Sequence, residues 1–161
     1  MTVWVVNTSP LIFLSHLDRL DLLHAEGREV VIPRAVLDEV LARADCASTV
    51  VQQARKTWLK VKEVSDRIGL ELIRADLHGG EAEAMMLAKE LSAERLVIDD
   101  QDARRFADRA GIKTIGTLGL LLAAKRKGQV SSVRHEIEKL QSAGFRVNPR
   151  LVAAVLKEAG E

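Results

Sequence analysis

The sequence is short of the residues that staple or punctuate small proteins. Among 161 residues there is one cysteine, Cys46, with three prolines, no tyrosine, three Phe and two Trp. A single thiol excludes an internal disulfide and a multi-thiolate zinc centre. Five aromatics leave little for the stacking platforms on which single-strand binders lay successive bases. No apolar run approaches the ~20 residues that cross a bilayer; the longest, 118–124, contains a glycine. The first residues lack the charged, apolar and small-residue succession of a secretory leader. The chain is therefore expected in the cytoplasm, with no membrane partner.

What is present describes one folded domain. An apolar fraction of 47% and a charged fraction of 29% are ordinary globular values. At this length about two thirds of the unfolded surface is buried on folding, enough for a sheet covered on both faces. Net charge is only +1, yet it is segregated. Residues 76–102 carry eight acids against two bases, and residues 103–128 carry seven bases against one acid. Charge pattern alone is equally consistent with two solvated helix faces, so the chemistry of the individual residues has to decide.

Short β-branched and apolar runs at 3–6, 29–33, 61–64, 96–98 and 113–115 read as five strands, each followed by turn or cap residues. Helical spacing separates them. Leu11, Ile12, Leu14 and Leu17 follow the first strand; Val36, Leu37, Val40 and Leu41 follow Pro33; 50–59 reads as a third helix. From Glu81 to Leu91 almost every non-acidic position is apolar, the mark of a helix buried on most sides. Strands alternating with helices imply a parallel sheet, because a parallel connection needs a long crossover. The expected fold is α/β, three layers with a five-stranded parallel sheet over 1–130. A C-terminal helical extension of the same domain, 131–161, is expected to form two helices, with Ile137, Leu140 and Phe145 against Leu151, Val152, Val155 and Leu156.

In open parallel sheets ligands bind outside the carboxyl ends of the strands. Asn7, Thr8 and Ser9 follow the first strand, Asp99 and Asp100 follow the fourth, and Glu39 lies two turns into the helix after the second. Glu81 opens a crossover helix, whose N-terminus lies at the same edge. Singly each has a plain structural reading: acids are favoured in a first helical turn by the dipole, and aspartates cap helices. Together, four carboxylates without interleaved lysines repel one another unless a cation sits among them. Hard oxygen ligands suit magnesium or manganese. His16, His24, His78 and His135 share no metal-ligand spacing.

The order Asn-Thr-Ser-Pro-Leu-Ile after a strand, Val-Ile-Pro with Glu39 six residues beyond the proline, Gly-Glu-Ala-Glu-Ala, then Val-Ile-Asp-Asp, resembles the PIN domain superfamily. The similarity runs over nearly the whole chain, including Gly-Thr-Leu-Gly from Gly116. It implies a three-layer α/β/α ribonuclease with a magnesium or manganese site, and many such proteins are toxins of toxin-antitoxin pairs. By resemblance, Asn7 stands at the first acid and Ser9 at its supporting hydroxyl. The second acid falls on Glu39, the third on Glu81 and the fourth on Asp100 or Asp99. Two departures follow: an amide for a carboxylate at position 7, and a longer side chain at position 81.

The activity so implied is metal-assisted hydrolysis of RNA phosphodiesters, with Asn7, Glu39, Glu81, Asp99 and Asp100 at the site and Asn7, Glu81, Asp99 and Asp100 around a weakly bound ion. Ser9, Arg104 and Arg105 are the candidate substrate contacts, the arginines because phosphate backbones are held by Lys and Arg. Gly79 and Gly80 would let backbone approach the substrate, or simply make a turn. The rival reading is a nucleic-acid or protein binding module that lost catalysis when Asn7 arrived. A phospho-acceptor receiver domain is disfavoured, because its paired acids belong near the first strand. The expected partners are RNA, a second copy of the chain and a small antitoxin.

Overall fold

A computed structural model describes all 161 residues, Met1–Glu161. Five strands, β1 (Thr2–Val6), β2 (Arg28–Pro33), β3 (Leu59–Lys62), β4 (Arg95–Val97) and β5 (Thr114–Ile115), form one sheet in the order β3-β2-β1-β4-β5. Every neighbouring pair is parallel. The chain builds outward from β1 to β2 and β3, then returns to lay β4 on the other side of β1. The order therefore reverses between β1 and β4, where a parallel sheet opens a crevice at its carboxyl edge.

Helices cover both faces. On one lie α1 (Thr8–His16), α2 (Arg34–Leu41), α3 (Cys46–Arg55) and α7 (Thr117–Arg126), burying Trp4, Val6, Val30 and Ile32 of the sheet. On the other lie α4 (Arg67–Ile73), α5 (Gly79–Glu90) and α6 (Gln101–Arg109), packed on Val5, Val31, Leu96 and Ile98. Alternate strand residues thus face opposite layers, and a strand buried on both faces must be apolar throughout. The helix α5 supplies Ala82, Ala84, Met85, Leu87 and Ala88 to its layer. Helices α8 (Val133–Ser142) and α9 (Pro149–Glu158) close a third cluster against α7, joining Ile137, Leu140, Val155 and Leu156 to Leu118, Leu121 and Leu17. No helix is long and apolar enough to cross a membrane.

The middle of the chain differs from its sequence pattern. The expected helix at 50–59 begins at Cys46, because the Asp45 side chain accepts the Ala47 amide and starts it. The third strand follows two residues earlier than the alternation at 61–64 suggests, in a register pairing Leu59 with Val30 and Val61 with Ile32. Helix α4 is absent from the sequence pattern, since Ile68 and Leu72 are exposed and only Leu70 is buried. In the C-terminal pair, Leu151 does not join the apolar cluster. It is 45% exposed and lines a cavity.

Candidate active site

Asn7 stands where β1 ends, its backbone amide donating to the Val97 carbonyl of β4 at 2.9 Å. It occupies the N-cap position of α1 but makes no capping bond. The residue is 5% exposed, and its side-chain oxygen Oδ1 is buried without a hydrogen-bond partner. Buried polar atoms are nearly always paired, so a lone acceptor at the switch point of a parallel sheet marks a place where a donor or cation belongs. The neighbouring Thr8 hydroxyl donates to Glu39. Ser9, expected to support position 7, makes no side-chain hydrogen bond, and Thr8 is the hydroxyl that engages an acid.

Glu39 accepts a second bond, from the Gly80 amide at 2.7 Å, and so caps the start of α5. The glycines exist for this contact. A Cβ at Gly79, which has φ +41°, would lie 2.7 Å from Glu39 Oε1, and one at Gly80 would lie 3.0 Å from both Oε1 and Val36 Cγ2. The close approach at Gly79-Gly80 is therefore to a carboxylate of the same chain, in keeping with the reading of these glycines as the turn that enters the helix.

Glu81 follows in the first turn of α5. Burial raises its carboxyl above the ordinary value, and the charges of Asp100 and Glu39 push the same way, while His78 opposes them. Like charges near enough to raise one another are what convergence of acids requires. Glu81 and Asp100 share a cleft of about 870 Å³ with Arg105 and Arg109. One oxygen of Asp100 accepts the Ala103 amide at 2.8 Å and caps α6.

Asp99 goes elsewhere. It accepts the Thr117 amide and hydroxyl, both at 2.7 Å, which ties β4 to the start of α7. Burial raises its carboxyl, against the Thr117 bonds and the nearby Arg104. Arg104 turns toward this side, whereas Arg105 stands in solvent and pairs with Asp102 at 3.3 Å. Of the expected residues, the fold thus brings Asn7, Glu39, Glu81 and Asp100 to one edge and directs Asp99 and Arg104 to its far side. The bonds that Thr8, Thr117 and Gly80 make to these acids were not foreseen. Thr8 sat inside a recognised cap cluster, but nothing local links it to an acid 31 residues away.

Comparison with known proteins fits this architecture. A family model described as a PIN domain matches residues 3–161. The chain belongs to the PIN domain family. Among solved structures, this PIN domain is similar to a PilT N-terminus domain protein from the hyperthermophilic archaeon Sulfolobus solfataricus P2, at 21% identity and a TM-score of 0.55. The match covers 76% of this chain and 93% of that one. At that identity the likeness concerns the fold. No curated protein matches.

The fold family implies a divalent cation, and this PIN domain's donors can be tested for it. No group of three or more His, Cys, Asp or Glu side chains lies close enough together to hold a metal ion. Glu39 is engaged by Thr8 and Gly80, and Asp99 by Thr117. Three oxygen donors remain: Asn7 Oδ1, the Glu81 carboxylate and the second oxygen of Asp100. They fit a hard cation in kind, and the unpaired Asn7 oxygen is the feature that a ligand would satisfy.

Away from this edge, Cys46 Sγ lies 3.5 Å from His16 Nδ1, and His16 Nε2 lies 3.6 Å from Asp45. Asp45 is also bound by Arg43 and caps α3, so the cluster serves the start of that helix.

Proposed function

We propose that this PIN domain is a divalent-cation-dependent ribonuclease. The observation that carries the reading is Glu81, whose carboxyl is raised by burial and by Asp100 and Glu39 beside a cleft walled by Arg105 and Arg109. Acids and arginines on one cleft are the two halves of a phosphodiester site. The arginines attract and position the backbone phosphates, and the acids act on the reacting phosphate.

Asn7, Glu81 and Asp100 would hold the ion, here magnesium or manganese. When bound it supplies a water of lowered pKa and neutralises charge on the phosphate. Asn7 Oδ1, buried and without a hydrogen-bond partner, would be the uncharged oxygen ligand at the end of β1. Glu81, whose affinity for a proton is raised in the ion-free cleft, would give that proton up on becoming a ligand. Glu39 fixes α5 and thereby the position of Glu81. With one carboxylate replaced by an amide, cation affinity is low, which suits a nuclease whose activity is restrained or a toxin paired with a small antitoxin.

A second reading is a binding module on the same fold, favoured by Asn7 in place of an acid and by the open arrangement of the donors. Mixed RNA incubated with the pure protein and manganese separates the two. Cleavage that is lost in Glu81→Gln and in chelator supports the ribonuclease. RNA binding without cleavage by the unaltered protein supports the binding module.

A further inference from the structure

A second cluster of reactive side chains lies away from the acidic cleft, where the end of α1 meets the start of α3. His16 closes α1 and Cys46 opens α3. Cys46 Sγ stands 3.5 Å from His16 Nδ1, and Asp45 Oδ2 stands 3.6 Å from the other ring nitrogen, Nε2. Thiol, imidazole and carboxylate thus follow one another, the succession of nucleophile, base and orienting group in enzymes that use a cysteine. Cys46 is exposed, so small molecules in solution reach its sulfur. It lines neither the acidic cleft nor the cavity beside Thr117.

Starting α3 accounts for Asp45 but not for His16. Asp45 Oδ1 accepts the Ala47 amide, and Arg43 binds Oδ2 at 2.9 Å. Against burial, which raises it, the Arg43 bond and the Ala47 and Ser48 amides hold the Asp45 carboxyl below its ordinary value, so it is charged at neutral pH. His16 Nε2 is buried without a hydrogen-bond partner. Asp45 is too distant to accept such a bond, yet its charge favours a proton on the nitrogen that faces it. That tautomer leaves the Nδ1 lone pair beside the thiol. A second proton, taken up at Nδ1, gives the ring a charge that Asp45 offsets. The last turn of α1 favours that charge too, and the first turn of α3 favours a negative one on sulfur. Phe145 packs edge-on against the imidazole, with 4.8 Å between ring centroids, and holds it in place.

We propose that Cys46 is a nucleophilic thiol, activated by His16, that exchanges with low-molecular-weight disulfides. As Sγ attacks one sulfur of the disulfide, its proton passes to His16 Nδ1, the new S–S bond forms and the old one breaks. The departing thiolate takes the proton back from Nδ1. One thiol and one disulfide give a mixed disulfide and a free thiol, with Cys46 oxidised and the departing sulfur reduced. Excess free thiol reverses the exchange and restores Cys46. The site is independent of the ribonuclease reading.

Because the chain has one cysteine, the intact mass of the full-length protein reads the adduct on Cys46 alone. The uncharged probe hydroxyethyl disulfide is added at pH 7, and a peptide of residues 42–52 supplies the same thiol without His16. An unassisted cysteine is only a few per cent thiolate at that pH, so the protein is expected to react about tenfold faster than the peptide. His16→Gln is expected to lose most of that advantage. Asp45→Asn keeps a capping side chain but not the charge, and is expected to slow the reaction about twofold or more with helix α3 intact. A rate equal to or below that of the peptide would overturn the proposal, as would both variants reacting like the unaltered protein. Melting curves show whether each variant is folded; should His16→Gln unfold, Asp45→Asn and the peptide decide.

Discussion

The Glu39 carboxylate serves as the N-terminal cap of a helix that begins 40 residues later, accepting the Gly80 amide at 2.7 Å where the local cap residue His78 offers no side-chain bond. Helix starts leave amides unsatisfied, and replacing a capping acceptor by alanine typically costs about 0.5–2 kcal/mol. Glu39→Ala is accordingly expected to lower stability by about 1 kcal/mol in urea titrations, with Glu39→Gln, which keeps an acceptor, losing less. Gly80→Ala should also destabilise, because its Cβ meets both Glu39 and Val36. Equal stability of Glu39→Ala and the unaltered protein would remove Glu39 from this role.

Asn7→Asp places a charge where an unpaired oxygen now stands. At an effective dielectric near 20, one charge at about 4 Å is worth about 4 kcal/mol before solvation reduces it, so manganese affinity should rise by about one to a few orders of magnitude. The same burial makes the uncompensated carboxylate costly. The metal-free variant should therefore melt below the unaltered protein and recover when manganese is added. Calorimetry showing unchanged metal affinity in a folded variant would place Asn7 outside the cation site.

Glu81 tests whether the site is held at the expense of stability. A carboxyl whose folded pKa lies above its unfolded value contributes no penalty below the unfolded value, and the penalty grows as pH rises through the folded one. Glu81→Gln removes that ionisation. Its melting temperature is expected to exceed that of the unaltered protein at pH 7, with the difference vanishing near pH 4. Metal-dependent cleavage should fall at least as far as the 10–100-fold that losing an outer partner of a metal site typically costs. A variant less stable at pH 7 would show that burial does not penalise this carboxylate.

Much of this fold was readable because its strands are short apolar runs closed by turn residues, and burial on two faces leaves no other composition for them. The order Asn7, Glu39, Glu81, Asp100 was readable for the same reason, since a parallel sheet collects whatever follows its strands. Helix α4 was not, because Ile68 and Leu72 face solvent and erase the apolar period. The parting of Asp99 from Asp100 was hidden too. Two adjacent carboxylates look alike in a sequence, and only the arrival of Thr117, 18 residues on, claims one of them.

Thr117 is 2% exposed and its hydroxyl serves one acceptor. Thr117→Val keeps the shape and removes the donor, leaving Asp99 with the amide bond alone. A loss of about 1–3 kcal/mol is expected, as for a buried acceptor deprived of its partner. Thr117→Ser should lose less. Denaturant titration showing no loss in the valine variant would mean that the Asp99 carboxyl relaxes to another donor.

Glu161 clamps the C-terminal helices. Its carboxylate accepts from Lys125 at 2.8 Å, from Ser132 Oγ at 2.8 Å and from the amides of Val133 and Arg134, which holds its carboxyl at about 2, below the ordinary 4.5. A depressed acid contributes its full stability above the unfolded value and loses it as pH falls through the folded one. The unaltered protein should lose this contribution between pH 4.5 and about 2. In Glu161→Gln that part of the acid dependence should be missing from melting curves. An unchanged acid limb would place the clamp outside the stability of the fold.

The two borders of the sheet are built differently, and both refuse company. On one, β3 carries Lys60 and Lys62, tethered to Glu29 of β2 at 2.9 and 2.7 Å but still partly in solvent. On the other, β5 has two residues. Charged side chains along one rim and too little length along the other deny a foreign strand a template for pairing, which is how natural sheets avoid aggregating edge to edge. Self-association of this chain is thereby left to helix surfaces, and a partly unfolded copy finds no open ladder on its folded neighbours to extend.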